Sequence, residues 1–165
     1  MKKILFAAFL MLAPLSLMAQ KFGHFNSAEI VSIMPEYIAA QNELQTLAKQ
    51  YEDDLKLQQD ELQKKSEAFQ KEQANLLDNV RQRREAELQD LYQRILQSKQ
   101  DNELAFQKAQ AEKLQAISDK VTAAVKKIGD EGGYVYIMDT TMGIPYISTK
   151  LSIDVTADLK KALGL

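Results

Sequence analysis

Hydrophobic and polar positions fall into two regimes along this chain. Both ends carry short, dense apolar clusters. Between residues 36 and 128 the apolar positions thin out and recur at helical spacing in a background of Gln, Glu, Lys, Leu and Ala. Ala48, Leu55, Leu62, Phe69 and Leu76 follow one another every seven residues. A companion seam, Leu44, Tyr51, Gln58, Lys65 and Glu72, starts apolar and turns polar along the chain. A seven-residue repeat lays one stripe of side chains down one side of an α-helix. Pro35 and Gly129 bracket 93 residues that contain neither proline nor glycine, the two residues that interrupt helices, so helix is predicted throughout. A single rod of that length would reach about 140 Å, and a hairpin about 65–70 Å.

Asp78-Asn79 is the only pair of strong helix-interrupters between two long apolar stripes, and a turn there opposes residue i to about residue 157 − i. Phe69 then meets Leu88, Leu62 meets Ile95, Tyr51 meets Phe106 and Ala48 meets Ala109, each pair apolar on both sides. Leu55 faces Asn102, and Leu76 faces Arg81 at the tip. The arm seam is therefore read as Leu55, Leu62 and Phe69 on one limb and Leu88 and Ile95 on the other. Leu114, Ile117, Val121, Val125 and Ile128 restore a dense stripe at the root. Residues 36–80 hold 5 basic and 10 acidic side chains, and residues 81–128 hold 10 basic and 7 acidic. Opposed limbs of −5 and +3 attract, although an exposed pair contributes only about 0.2–1 kcal/mol.

The apolar ends read differently. Lys2 and Lys3, an apolar run over residues 4–17 broken by Pro14, and Met18-Ala19 make a secretory signal peptide over 1–19, cleaved after Ala19, rather than a permanent anchor. The remaining ends, 20–35 and 129–165, form the body. A strand-like run starts at Lys21, Ser27 is placed to cap a first helix carrying Ile30, Val31, Ile33 and Met34, and Pro35 restarts the helix. Beyond Gly132-Gly133, residues 134–139 are rich in strand formers, and 144–148 can return as an edge strand containing Pro145. Asp154 then caps a short helix over 155–163, closed by Gly164. The fold class is thus α+β, predominantly α, with a long antiparallel hairpin arm over 36–128 on a small β-rich body.

Composition narrows the function. There is no cysteine, so no disulfide or thiol chemistry is available. A body of 53 residues is too small to stabilise itself without staples, and oligomerisation is the remaining device. Phe22, Phe25, Tyr134, Tyr136 and Tyr146 are expected in a sheet core or subunit interface, in preference to an aromatic ligand pocket, and the interface is read as Phe22, Phe25, Tyr134, Tyr136 and Ile137. Arg81, Arg83 and Arg84 cluster after the turn, either as a basic tip touching acidic clients or lipid head groups at a membrane surface, or as a solvated helix start. His24 is the only histidine and has no neighbouring carboxylate in sequence. The chain lacks a phosphate loop, metal-ligand spacing and a nucleophile elbow, so no cofactor, metal or catalytic group is expected. The chain after cleavage carries 19 basic and 23 acidic residues, which speaks against nucleic acid as a partner.

Lys21-Phe22-Gly23-His24-Phe25-Asn26-Ser27 at the start, Tyr134-Val135-Tyr136-Ile137-Met138-Asp139, and the run Ser152-Ile153-Asp154-Val155-Thr156-Ala157-Asp158-Leu159-Lys160 resemble the Skp (OmpH-like) periplasmic chaperones. The order of elements is similar over the whole mature chain. The resemblance implies a homotrimer joined through its strands, with three arms around a cavity. It also implies an ATP-independent periplasmic holdase for unfolded outer-membrane proteins. Family members are strongly basic whereas this chain is acidic, which argues for apolar capture over capture by a positive cavity. The rival reading is a structural coiled-coil spacer of the cell envelope.

Overall fold

Two antiparallel helices, of 38 and 55 residues, make up most of the molecule. The structure is a computed structural model that describes residues 20–165. The expected signal peptide, residues 1–19, lies outside the described residues. The elements in order are β1 (Lys21–Phe25), α1 (Ser27–Val31), α2 (Pro35–Glu72), α3 (Asp78–Gly132), β2 (Tyr134–Asp139), β3 (Ser152–Asp154) and α4 (Thr156–Leu163). The predominantly helical α+β architecture expected from the sequence is the one the chain adopts.

Pro35 opens α2, where its missing N–H would have found no partner in any case. The chain reverses through one 3-10 turn, Gln73–Asn75, and the extended backbone of Leu76 and Leu77. Asp78 already belongs to the next helix, its carboxylate in the first turn where the helix dipole favours an anion. The reversal thus lies just ahead of the Asp78-Asn79 pair that marks it in the sequence.

Helix α3 runs on through Gly129 and Gly132 and stops at Gly133, which takes the left-handed conformation with φ 65°. Gly132 sits inside the helix because a Cβ there would lie 2.4 Å from the Tyr134 ring. The absent side chain lets the following strand fold back against the helix it leaves.

Strand β1 is central in a three-stranded, wholly parallel sheet of order β2-β1-β3. The entire helical arm is therefore the crossover connection between two parallel neighbours. The edge strand expected over 144–148 does not form: that segment is unpaired, and the chain rejoins the sheet at Ser152–Asp154. Pro145 has no N–H to give, and the long connection carries the chain back to the start of β1, so pairing is parallel.

One face of the sheet packs on the root of the arm. Phe25, Ile30, Met34, Ala40, Ile117, Val121, Val155 and Leu159 form the core there. Helix α1 is capped by Asn26, whose side chain accepts from Glu29 N at 3.1 Å, rather than by Ser27. Ser27 is occupied elsewhere, donating its N–H to Asp139 and sharing a hydrogen bond with Thr141. Asp154 accepts from Thr156 N at 2.9 Å at the start of α4, and Gly164 closes that helix with φ 77°.

Candidate functional site

The arm is held by polar bonds that cross between its limbs as well as by its apolar seam. Glu36 pairs with Lys120, Glu43 with Lys113, and Glu72 with Arg84 at 2.6 Å. Gln58 donates to Ser98 at 3.3 Å, and Lys65 reaches Glu87 at 2.8 Å. Apart from the longer reach of Lys65, these set the partner of residue i near 156 − i. The companion seam of Gln58, Lys65 and Glu72 is thus a ladder of cross-limb contacts instead of a simply solvated face. Lys120 holds the Glu36 carboxyl below its ordinary range, and Lys65 does the same to Glu87.

Apolar packing along the seam is uneven. Ala40, Ile117 and Val121 are buried at the root, and Leu91 and Ile95 are buried in the outer half. Leu55, Leu62, Phe69 and Leu88 are half-buried. Ala48 is exposed, with Leu47 turned further inward instead. Midway the seam opens into a groove of about 690 Å³ walled by Ala48, Tyr51, Leu55 and Phe106. Asn102, opposite Leu55, lies on its floor with its side-chain Nδ2 buried and without a hydrogen-bond partner. A Leu–Asn pair cannot close a seam that Leu–Ile pairs close further out. That mismatch is visible in the sequence.

On the same side of the hairpin as the groove, Tyr92, Leu96 and Leu114 stand in solvent at 50%, 45% and 44% exposure. Each lies one position after a seam residue of α3, and in an antiparallel pair that offset points to one lateral side on both limbs. The opposite side is lined by Glu61, Arg94, Gln97 and Asp101. The groove side of the arm therefore carries exposed apolar side chains above and below a charged mid-arm rim, and the opposite side is charged.

At the tip, Arg81 pairs with Asp78 at 2.5 Å and Arg84 with Glu72, while Arg83 is exposed and joins no ion pair among the described residues. Leu77, in the reversal, is 74% exposed.

The five aromatic and aliphatic body residues divide between the two faces of the sheet. Phe25 is in the core, and Tyr134 and Ile137 pack against it. Phe22 and Tyr136 lie on the other face, their rings 4.8 Å apart. That face also carries His24 and Met138, and the segment 144–148 roofs it only in part, leaving a cavity of about 310 Å³. Simple alternation would put Tyr134 and Tyr136 on one face; a register shift between Lys21 and Phe22 separates them, and nothing in the sequence marks it. His24 Nδ1 and Ser152 Oγ are 2.8 Å apart, a partner that sequence distance concealed. Among the described residues no group of three or more His, Asp or Glu is arranged to hold a metal. No helix among them is long and apolar enough to cross a membrane.

The family model described as outer membrane protein (OmpH-like) matches residues 21–163. Among solved structures, a protein from Caulobacter crescentus, provisionally described as an outer membrane chaperone (OmpH-like), aligns with a TM-score of 0.74 at 14% identity. That alignment covers 87% of this chain and 83% of the other, and at such identity the likeness is one of fold. No curated protein matches the chain.

Proposed function

Since this chain belongs to the OmpH-like outer membrane protein family, we propose that it is an ATP-independent holdase chaperone of the periplasm. Its clients are unfolded outer-membrane proteins, which it keeps from aggregating between its helical arms. The observation that carries this reading is the set of exposed apolar side chains on the groove side of the arm. Tyr92, Leu96 and Leu114 are exposed beside an open groove on a helix pair that is otherwise well paired. A rigid spacer has no use for an unclosed seam in mid-arm, whereas a holdase needs weak, repeated apolar contacts that water does not screen.

Assembly as a homotrimer fits the body. Phe22, Tyr136 and Met138 occupy a sheet face that is covered only in part, and the outer edges of β2 and β3 have no partner strand among the described residues. Exposed edges and apolar faces of that kind are covered in stable proteins. Cleavage after Ala19 delivers the protein to the periplasm. The tip arginines Arg81, Arg83 and Arg84 assist first contact with acidic segments or a membrane surface.

The test is light scattering of a urea-unfolded outer-membrane β-barrel diluted into buffer with the mature protein, with and without ATP. Suppression of aggregation that ATP leaves unchanged supports the reading. Undiminished aggregation at excess protein refutes it.

A further inference from the structure

We propose that the mid-arm groove is a discrete binding site for an extended segment of unfolded polypeptide. The segment it fits presents, on one face and at alternate positions, an apolar side chain, a basic one and an acidic one, in that order. The proposal rests on the holdase reading and names where on the arm a client is gripped.

The ion pairs that cross between the limbs oppose unlike charges: Glu36–Lys120, Glu43–Lys113, Lys65–Glu87 and Glu72–Arg84. At the groove the pattern inverts. In the register set by those pairs, Glu52 and Glu103 sit nearly level across its mouth, and Lys56 and Lys99 sit nearly level one turn further out. None of the four joins an ion pair among the described residues, although each limb could bridge its own Glu and Lys. Like charges level with one another repel and hold the mouth open. Each pair has room for one opposite charge placed between its two members across the mouth.

The spacing suits an extended chain. Tyr51 and Phe106 lie at one level, the acidic pair about half a turn outward, and the basic pair one turn beyond that. The acidic and basic pairs are about 6 Å apart along the helices. Same-face residues of an extended strand recur about every 6.6 Å. An apolar side chain seated beside Ala48, about 7 Å inward of the acidic pair, thus brings the next same-face residue to Glu52 and Glu103, and the one after to Lys56 and Lys99. The groove is an open trough with about 690 Å³ of space, a shape that suits an extended chain laid along it. The unpartnered Asn102 amide supplies a donor for a backbone carbonyl once its side chain turns outward. Asp60, a further turn along the rim, extends the alternation of sign.

The experiment uses the mature protein and two fluorescently labelled synthetic peptides. One carries Phe, Lys and Glu at alternate positions separated by Ser; the other carries Phe, Glu and Lys. Anisotropy should show the first binding at least about fivefold more tightly. The preference should vanish in a variant with Glu52→Gln, Glu103→Gln, Lys56→Gln and Lys99→Gln, which alters only rim residues outside the seam. A photo-cross-linking residue at Ala48 should capture the first peptide, and one at Leu57, off the groove, should not. Equal binding of the two peptides overturns the proposal, as do equal capture at both positions and capture of a second copy of this chain at Ala48. If these fail while the protein still suppresses β-barrel aggregation, the groove assignment is wrong and the holdase reading stands; loss of suppression by the unmodified protein removes the holdase reading itself.

Discussion

Ile95→Ala probes the packing that keeps the outer half of the arm together. Ile95 is 6% exposed and Leu91, one turn away, 5%, whereas most of the surrounding seam is only half-buried. Truncating a buried Ile to Ala costs about 2–5 kcal/mol in globular cores. The seam is a single layer of side chains between two helices and is open to water on both flanks, so neighbours can settle into the gap. The lower end, about 2 kcal/mol, is expected. At 1.4 kcal/mol per tenfold, local opening should become about thirtyfold more frequent. Amide hydrogen exchange at fixed protomer concentration reads this directly. Exchange should quicken about thirtyfold in the outer limbs and stay unchanged at Val155 and Leu159, which are fully buried in the body. Leu57→Ala is the control: that side chain is 69% exposed, and its removal should change stability by less than about 0.5 kcal/mol. Equal effects from the two substitutions, or no effect from Ile95→Ala, would show that the seam does not hold the arm.

Cysteines replacing Leu62 and Ile95 should oxidise readily within one chain, since the limbs meet near 156 − i, while Leu62 with Asn102 should not; gel mobility under non-reducing conditions distinguishes them. Gly132→Ala should destabilise the body by about 1–3 kcal/mol in thermal unfolding, because its Cβ meets the Tyr134 ring. Burial pushes the Asp139 carboxyl up, but hydrogen bonds from Ser27 and Thr141 outweigh it and hold the group below its ordinary value; Thr156 does the same for Asp154. Lowered folded values mean that the stability from these groups is present above the ordinary carboxylate value of 3.8 and is lost as pH falls through the folded values. The melting temperature should therefore drop below about pH 4, and less steeply in Asp139→Asn with Asp154→Asn, where an amide oxygen still accepts. Ile137→Asp should unfold the body, as it places an unpaired charge against the core.

The arm was legible because its signals are local. The absence of proline and glycine points to helix, and a turn near Asp78-Asn79 sets a register, 157 − i, within about one residue of the observed ladder. The sequence sets Leu55 opposite Asn102, but the groove that this mismatch leaves open is seen only in the structure. The body was harder because its outcome depends on contacts far apart in sequence. Gly129 and Gly132 look like helix stops, yet they lie inside α3 because Tyr134 and Ile137 pack against them. Residues 144–148 carry strand formers, yet β1 is already bonded on both sides and the chain returns parallel. Tyr134 and Tyr136 would share a face by simple alternation, but a register shift between Lys21 and Phe22 skips Val135, turning Tyr134 toward the core and leaving Tyr136 on the open face.

The most direct test of the account is sedimentation velocity of the mature protein mixed with a urea-unfolded outer-membrane β-barrel, without nucleotide. The account predicts a single soluble species, heavier than the free protein, containing three protomers of this chain and client that circular dichroism shows to be unfolded. A client that pellets while this chain sediments alone would contradict it.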